Sequence, residues 1–178
     1  SQHDALTGLP NRAYLNNYAE ETLSKALKNQ VNFGIEILDI DFFKSVNDTY
    51  GHMEGDHYLT AVADLLSRIT EEYSNVFAAR YGGDEFIMIL NTDDREILEQ
   101  IAKGIYEKIN ATQGFQRQIE NYLGHAITTT EKSRITCSIG IASAGDVRKE
   151  EDINELIRSA DEILYKVKTG EKGHYAFL

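Results

Sequence analysis

The chain has 178 residues, 42% hydrophobic and 26% charged, which suits one domain with a substantial core and excludes a disordered or membrane-embedded segment. No apolar run approaches the roughly 20 residues of a membrane span, and no signal-peptide pattern opens the sequence. The net charge of -11 opposes a nucleic-acid binder, which needs a basic face, and the lone cysteine excludes intrachain disulfides and a multi-cysteine zinc site.

Ser1 to Arg12 reads as a capped opening segment with a turn at Pro10 and Asn11, which the opposite charges of Asp4 and Arg12 could clamp. The spacing of Leu15, Tyr18, Ala19, Thr22, Leu23 and Ala26 predicts an amphipathic helix. Val31 to Ile40 follows, with Val31, Phe33, Ile35 and Ile37 on one face and Gly34, Leu38 and Ile40 on the other. A strand apolar on both faces is a central, covered one. It runs out in Asp39-Ile40-Asp41-Phe42-Phe43-Lys44, so carboxylates stand where a buried strand reaches the surface. Asp41 is read as the N-cap of a short turn beginning at Phe42.

Asn47 to His52 is loop-like, rich in polar turn formers. A helix is predicted from about Gly55, with Leu59, Val62, Leu66, Ile69 and Tyr73 at core positions; His52 reads as structural. Val76 to Ala79 and Phe86 to Leu90 are apolar runs flanking Arg80-Tyr81-Gly82-Gly83-Asp84-Glu85. Paired glycines between such runs predict a hairpin. The adjacent acids at its tip leave two readings, a solvated turn or a place where a cation or polar substrate is met. Asp93 and Glu96 resemble a capping box before a helix carrying Ile97, Ile101, Ile105 and Ile109. Phe115 to Ser133 is polar and reads as a long hairpin connection, with Tyr122, Leu123 and Ile127 as anchors. Arg134 to Ser143 alternates as a strand around a buried Cys137, a last helix carries Ile153 to Val167, and Tyr175 to Leu178 closes as an edge strand.

Paired strands among helices predict an α+β fold rather than a doubly wound sheet. The order fits a ferredoxin-like, palm-type βαββαβ core: a central, mainly antiparallel sheet flanked by helices, plus an extra hairpin. No repeat or linker divides residues 1–178, so one domain is expected.

If the hairpin lies beside the central strand, Asp39, Asp84 and Glu85 come together. Carboxylates clustered in this way repel unless a cation neutralises them, and oxygen donors alone favour Mg²⁺ or Mn²⁺. The amides of Phe42 and Phe43, with Lys44, Lys168 and Lys172, are candidate phosphate contacts, which makes a nucleotide triphosphate site plausible. No P-loop pattern is present.

Arg80-Tyr81-Gly82-Gly83-Asp84-Glu85-Phe86 resembles the signature of the GGDEF domain, the catalytic module of diguanylate cyclases. Asp4-Ala5-Leu6-Thr7-Gly8-Leu9-Pro10-Asn11-Arg12, Asp39 through Asp56, Ser138 to Ala142, and Ala160-Asp161 through Lys168 resemble further family blocks, and the resemblance covers nearly the whole chain. It implies that Asp39, the Ile40 carbonyl, Asp84 and Glu85 hold Mg²⁺ or Mn²⁺. Glu85, or else Asp84, would activate the ribose 3′-hydroxyl. Phe42, Phe43 and Lys44 would bind triphosphate, with Lys44 also a catalytic residue that offsets charge developing during transfer, and Lys168 and Lys172 would bind its terminal phosphates. Lys172 stands where arginine is more usual, making a forked contact a point-charge one. Asn47 and Asp56 would read guanine and favour GTP over ATP.

The implied reaction condenses two GTP into cyclic di-GMP and two pyrophosphates across two copies of the domain, in the cytoplasm. The chain would then be a piece of a larger signalling protein whose sensory or regulatory part lies elsewhere. No nucleic-acid or membrane contact is expected of this segment. The alternative is a catalytically silent GTP-binding regulatory module. Tyr73 and Val76 stand where relatives with product inhibition carry arginine and aspartate, so no feedback through that primary site is expected.

Overall fold

A strand apolar on both faces must be covered on both, and β1 (Gly34–Ile40) becomes the middle of a five-stranded sheet. The computed structural model describes residues 1–29, 33–74, 76–110, 120–121, 124–126, 136–143, 153–170 and 172–178. In chain order these form α1 (Arg12–Asn29), β1, α2 (Phe43–Tyr50), α3 (His52–Glu72), β2 (Val76–Gly82), β3 (Glu85–Leu90) and α4 (Arg95–Asn110). They continue with β4 (Cys137–Ser143), α5 (Ile153–Thr169) and β5 (Tyr175–Phe177). The sheet order is β2-β3-β1-β4-β5, antiparallel except for the parallel pair β4 and β5. This is the ferredoxin-like α+β arrangement, with β5 added as the expected edge strand.

Alternation along the strands divides the core. Leu38, Ile40, Phe86, Met88, Ile139 and Ile141 face α3 and α4, whereas Ile35, Ile37, Ile87, Ile89 and Ala142 face α1 and α5. The apolar side chains of β1 thus meet a helix layer on either face, and the strand cannot shift register by one residue without exchanging its two faces.

Several local expectations are corrected. Residues 47–50 belong to α2, and α3 starts at His52 rather than near Gly55. Burial of Val46 and packing of Phe43 against the core outweigh the turn preference of Asn-Asp-Thr. Phe42, not Asp41, is the N-cap of α2. At α4 it is Asp94, not Asp93, whose Oδ1 accepts the Glu96 amide, and Leu98 rather than Ile97 is the buried residue of the first turn. Asp4 pairs with Arg80 instead of Arg12, because the hairpin lies over the opening segment. The connection expected over 115–133, with its extra hairpin and its anchors at 122, 123 and 127, lies largely outside the described residues.

Glu36 is a conflict that alternation alone does not reveal. It shares the face of Leu38 and Ile40, opposite Met88 and Ile141, is fully buried, and has no hydrogen-bond partner for either carboxyl oxygen among the described residues. Burial pushes its pKa well above the ordinary 4.5. Between those two values the folded chain holds a proton that the unfolded chain has released, so stability falls as pH rises. Glu36→Met should therefore raise the urea-unfolding free energy at neutral pH by roughly 1–3 kcal/mol. The gain should be smaller at pH 4.5 than at pH 7.5, and Glu36→Gln should remove most of that pH dependence. Urea melts at the two pH values check this, and an unchanged slope in Glu36→Gln would refute it.

Candidate active site

The β1–β3 register sets Asp39 opposite Glu85, so one acid from the central strand and one from the hairpin meet at the same end of the sheet. The Ile40 amide donates to the Asp84 carbonyl at 3.3 Å, which holds the tip of the hairpin against the end of β1. Asp84 stands near enough to Asp39 to raise its proton affinity. The tip between Gly82 and Glu85 turns on Gly83 at a φ of 48°, in the left-handed region that glycine reaches easily.

Arg80 fastens this turn. Its Nε and Nη2 donate to the Gly83 carbonyl at 3.0 and 2.8 Å, while Nη1 donates to both oxygens of Asp4 at 3.1 Å. Asp4 is itself held by the Thr7 amide and hydroxyl, at 2.9 and 2.7 Å. Burial would raise the Asp4 pKa, but the Thr7 hydrogen bonds and Arg80 bring it below its ordinary value. Arg12 instead donates to the Tyr81 hydroxyl at 3.1 Å and lies 4.3 Å over the Tyr81 ring.

Crowding leaves its mark on the acids. The pKa of Asp39 is pushed up to about 7, by burial first and by Asp84 next, against the pull of Lys168. That of Glu85 is also raised to about 7, by burial, then by Asp161 of α5, then by Asp84. Lys168 Nζ donates to Asp39 Oδ2 at 2.7 Å. Asp39 Oδ1 and Glu85 Oε1 are buried without a hydrogen-bond partner among the described residues. Free lone pairs on repelling carboxylates are a donor set suited to a hard divalent cation. No group of three or more acids, histidines or cysteines among the described residues could itself hold an ion. Such a cation would therefore rely on one or two protein carboxylates and complete its shell with phosphate or water, as Mg²⁺ does.

The phosphate and base candidates belong to the start of α2, to α2 and α3, and to α5 and the chain beyond it. Phe42 sits in the left-handed region at φ 59°, a cost of roughly 1–2 kcal/mol, and no side chain caps α2. Lys172 Nζ lies 4.4 Å over the Phe42 ring. Lys44 turns outward to Asp48, 3.4 Å away and 92% exposed, so the structure does not bring it to the acids. Asn47 packs tightly on α3: a Cβ at Gly55 would fall on its side-chain oxygen, which is buried and has no hydrogen-bond partner among the described residues. Asp56, next along α3, is exposed.

Residues 1–174 match the sequence profile of the family described as diguanylate cyclase, GGDEF domain. The chain belongs to the GGDEF domain family. It is 35% identical over 181 residues to the diguanylate cyclase DgcZ of Escherichia coli (strain K12), covering all of this chain and 54% of that protein. It is 33% identical to the cyclic di-GMP phosphodiesterase PdeR of the same organism, covering 97% of this chain and 23% of that one. The crystal structure of the GGDEF domain of DgcB from Caulobacter crescentus, in complex with c-di-GMP, superposes with a TM-score of 0.82 at 26% identity, over 99% of this chain and 92% of that one. The chain spans between about a quarter and half of the length of these curated relatives.

Within this GGDEF domain the sequence reading missed Asp161, Arg80 and Asp41. Asp161 lies two helical turns before Lys168, so both project from the same side of α5 toward the acids, and helical spacing could have signalled it. The partners of Arg80 and Asp41 lie far along the chain and leave no local signal. What seats α5 is Gly140 on β4, where a Cβ would collide with the Ala160 carbonyl and the Leu164 amide. Gly140→Ala should thus push the helix off the sheet, costing at least about 2 kcal/mol in urea melts. A neutral result would show that α5 yields without strain.

Proposed function

We propose that this GGDEF domain is a diguanylate cyclase. Two GTP molecules condense into cyclic di-GMP, each ribose 3′-hydroxyl attacking the α-phosphate of the other nucleotide and each releasing pyrophosphate. The observation that carries this reading is the cross-strand meeting of Asp39 with Asp84 and Glu85, with Lys168 beside them. Asp39, the Ile40 carbonyl, Asp84 and Glu85 are the proposed holders of Mg²⁺ or Mn²⁺. Bound there, the ion would neutralise charge on the transferring phosphate. Glu85, or Asp84 in its place, takes the 3′-hydroxyl proton, for which the raised pKa of Glu85 suits a base working near neutrality.

The amides of Phe42 and Phe43, with Lys44, Lys168 and Lys172, receive the triphosphate, and Lys44 must leave Asp48 to do so. Asn47 and Asp56 accept the guanine donors, which adenine lacks. One domain binds one GTP, so the reaction needs a second copy facing the first. The chain is proposed as the catalytic piece of a longer cytoplasmic signalling protein, a reading supported by the greater length of its relatives.

Incubation with GTP, ATP or both, in Mg²⁺, should yield cyclic di-GMP from GTP alone. Asp84→Ala should lower the rate by on the order of a hundredfold or more while GTP is still bound. Absence of product even in an artificially dimerised protein would sink the reading. The second reading, a silent GTP-binding module, is kept because PdeR, similar over 97% of this chain, bears the name of a phosphodiesterase. It predicts GTP binding without product and a cellular effect indifferent to Asp84→Ala.

Tyr73 ends α3, and Val76 begins β2 at the place where a product-gripping arginine and aspartate would stand. Added cyclic di-GMP should therefore leave the initial rate unchanged through this site, as initial-rate assays over a range of product concentrations will show.

A further inference from the structure

Lys168 holds a position that contact with a terminal phosphate does not explain. Its Nζ bridges two acids of the β1 end, 2.7 Å from Asp39 Oδ2 and 3.9 Å from Asp41 Oδ1, with 23% of the side chain exposed. The two acids are unlike. Asp39 is partly exposed, crowded by Asp84 and left with one oxygen that has no partner among the described residues. Asp41 is buried, and its oxygens accept the Thr136 and Ser138 hydroxyls, each at 2.7 Å. Its amide donates to the Thr136 carbonyl at 2.9 Å, and the Ser138 hydroxyl also accepts the Gly173 amide at 3.2 Å. Asp41 is thus fixed by β4 and by the chain entering β5, while Asp39 is open to ligands.

We propose that Lys168 is the resident counter-ion of Asp39, which an arriving divalent cation displaces, and that Asp41 is the positioning residue that keeps the displaced ammonium beside the site for phosphate. A dication on the free Oδ1 of Asp39 and an ammonium on Oδ2 repel across one carboxylate, so the dication's arrival favours departure of the ammonium. The lysine stem is flexible, and the Asp41 carboxylate does not move with the ligand, so the ammonium leaves Asp39 without leaving the site. Metal alone then binds weakly, because it must displace a cation. Metal and nucleotide bind more tightly together, because the freed charge finds an anion. The phosphate half rests on the cyclase reading, whereas the metal half does not.

Mn²⁺ titrated without nucleotide, with the free ion followed by electron paramagnetic resonance, tests the first half. Lys168→Met should bind Mn²⁺ about tenfold more tightly than the parent chain. Lys103→Met, the same charge change on α4, should stay within about twofold. Equal or weaker binding by Lys168→Met overturns the counter-ion role, and this result stands whether or not cyclic di-GMP is made. Equilibrium dialysis of an unreactive GTP analogue with Mn²⁺ tests the second half. Lys168→Met and Asp41→Asn should each weaken binding about tenfold, and the double variant no further, since Asp41 acts through Lys168. Additive losses, or none in Asp41→Asn, overturn the positioning role. If Asp41→Asn does not fold, ¹³C-lysine labelling of the parent chain decides. The Lys168 ε-carbon signal, identified from Lys168→Met, should stay apart from that of free lysine after Mg²⁺ is added. Collapse to the free-lysine position refutes retention by Asp41.

Discussion

The site depends on an unfavourable interaction that the sheet enforces. Asp39 and Glu85 face each other across the β1–β3 pairing, with Asp84 adjoining. Left to themselves these groups would separate. They are held by a ladder whose other pairs, Ile35 with Ile89 and Ile37 with Ile87, are fully buried and cannot slip without turning the core outward. Hydrophobic burial is spread over many residues, while the repulsion is confined to one end of two strands. The larger, diffuse term wins, and burial first, then crowding by Asp84 and Asp161, raises the proton affinity of Asp39 and Glu85.

The hairpin tip needs a further restraint, because glycines that allow a tight turn also allow many others. Arg80 supplies it by joining the Gly83 carbonyl to Asp4, so the opening segment, far away in sequence, decides where Asp84 and Glu85 stand. Loss of the Arg80 fork leaves a partly buried carboxylate at Asp4 and an unheld turn, which explains why a lysine would be a poor exchange there. On the other side of the site, α5 is pressed onto β4 at Gly140, which fixes the height of Asp161 and Lys168 over the acids.

Much of this was legible in the sequence. The two-sided apolar run gave β1, the paired glycines gave the β2–β3 turn, and the helical spacing of Leu59 through Ile69 gave α3. The acids at the strand end and the turn are candidates because both stand where buried strands surface, and the β1–β3 register brings them to one end of the sheet. What stayed hidden was set by contacts distant in sequence. Asp41 looks like a cap until β4 arrives with Thr136 and Ser138, and Asp4 looks like a partner of Arg12 until the hairpin brings Arg80. Asn47-Asp48-Thr49 is turn-like by itself and helical only because Val46 is drawn into the core. Glu36 breaks the pattern of its own strand, and no neighbour in the sequence explains it.

The left-handed cap at Phe42 bears on how the molecule's stability should be understood. α2 starts without a side-chain cap among the described residues, and Phe42 adds backbone strain at the same point. Any anion accepted there binds the folded chain and not the unfolded one, so it raises stability with the logarithm of its concentration. The thermal midpoint thereby becomes a gauge of occupancy. A chain filled with ligand is the same fold with one of its caps supplied from outside.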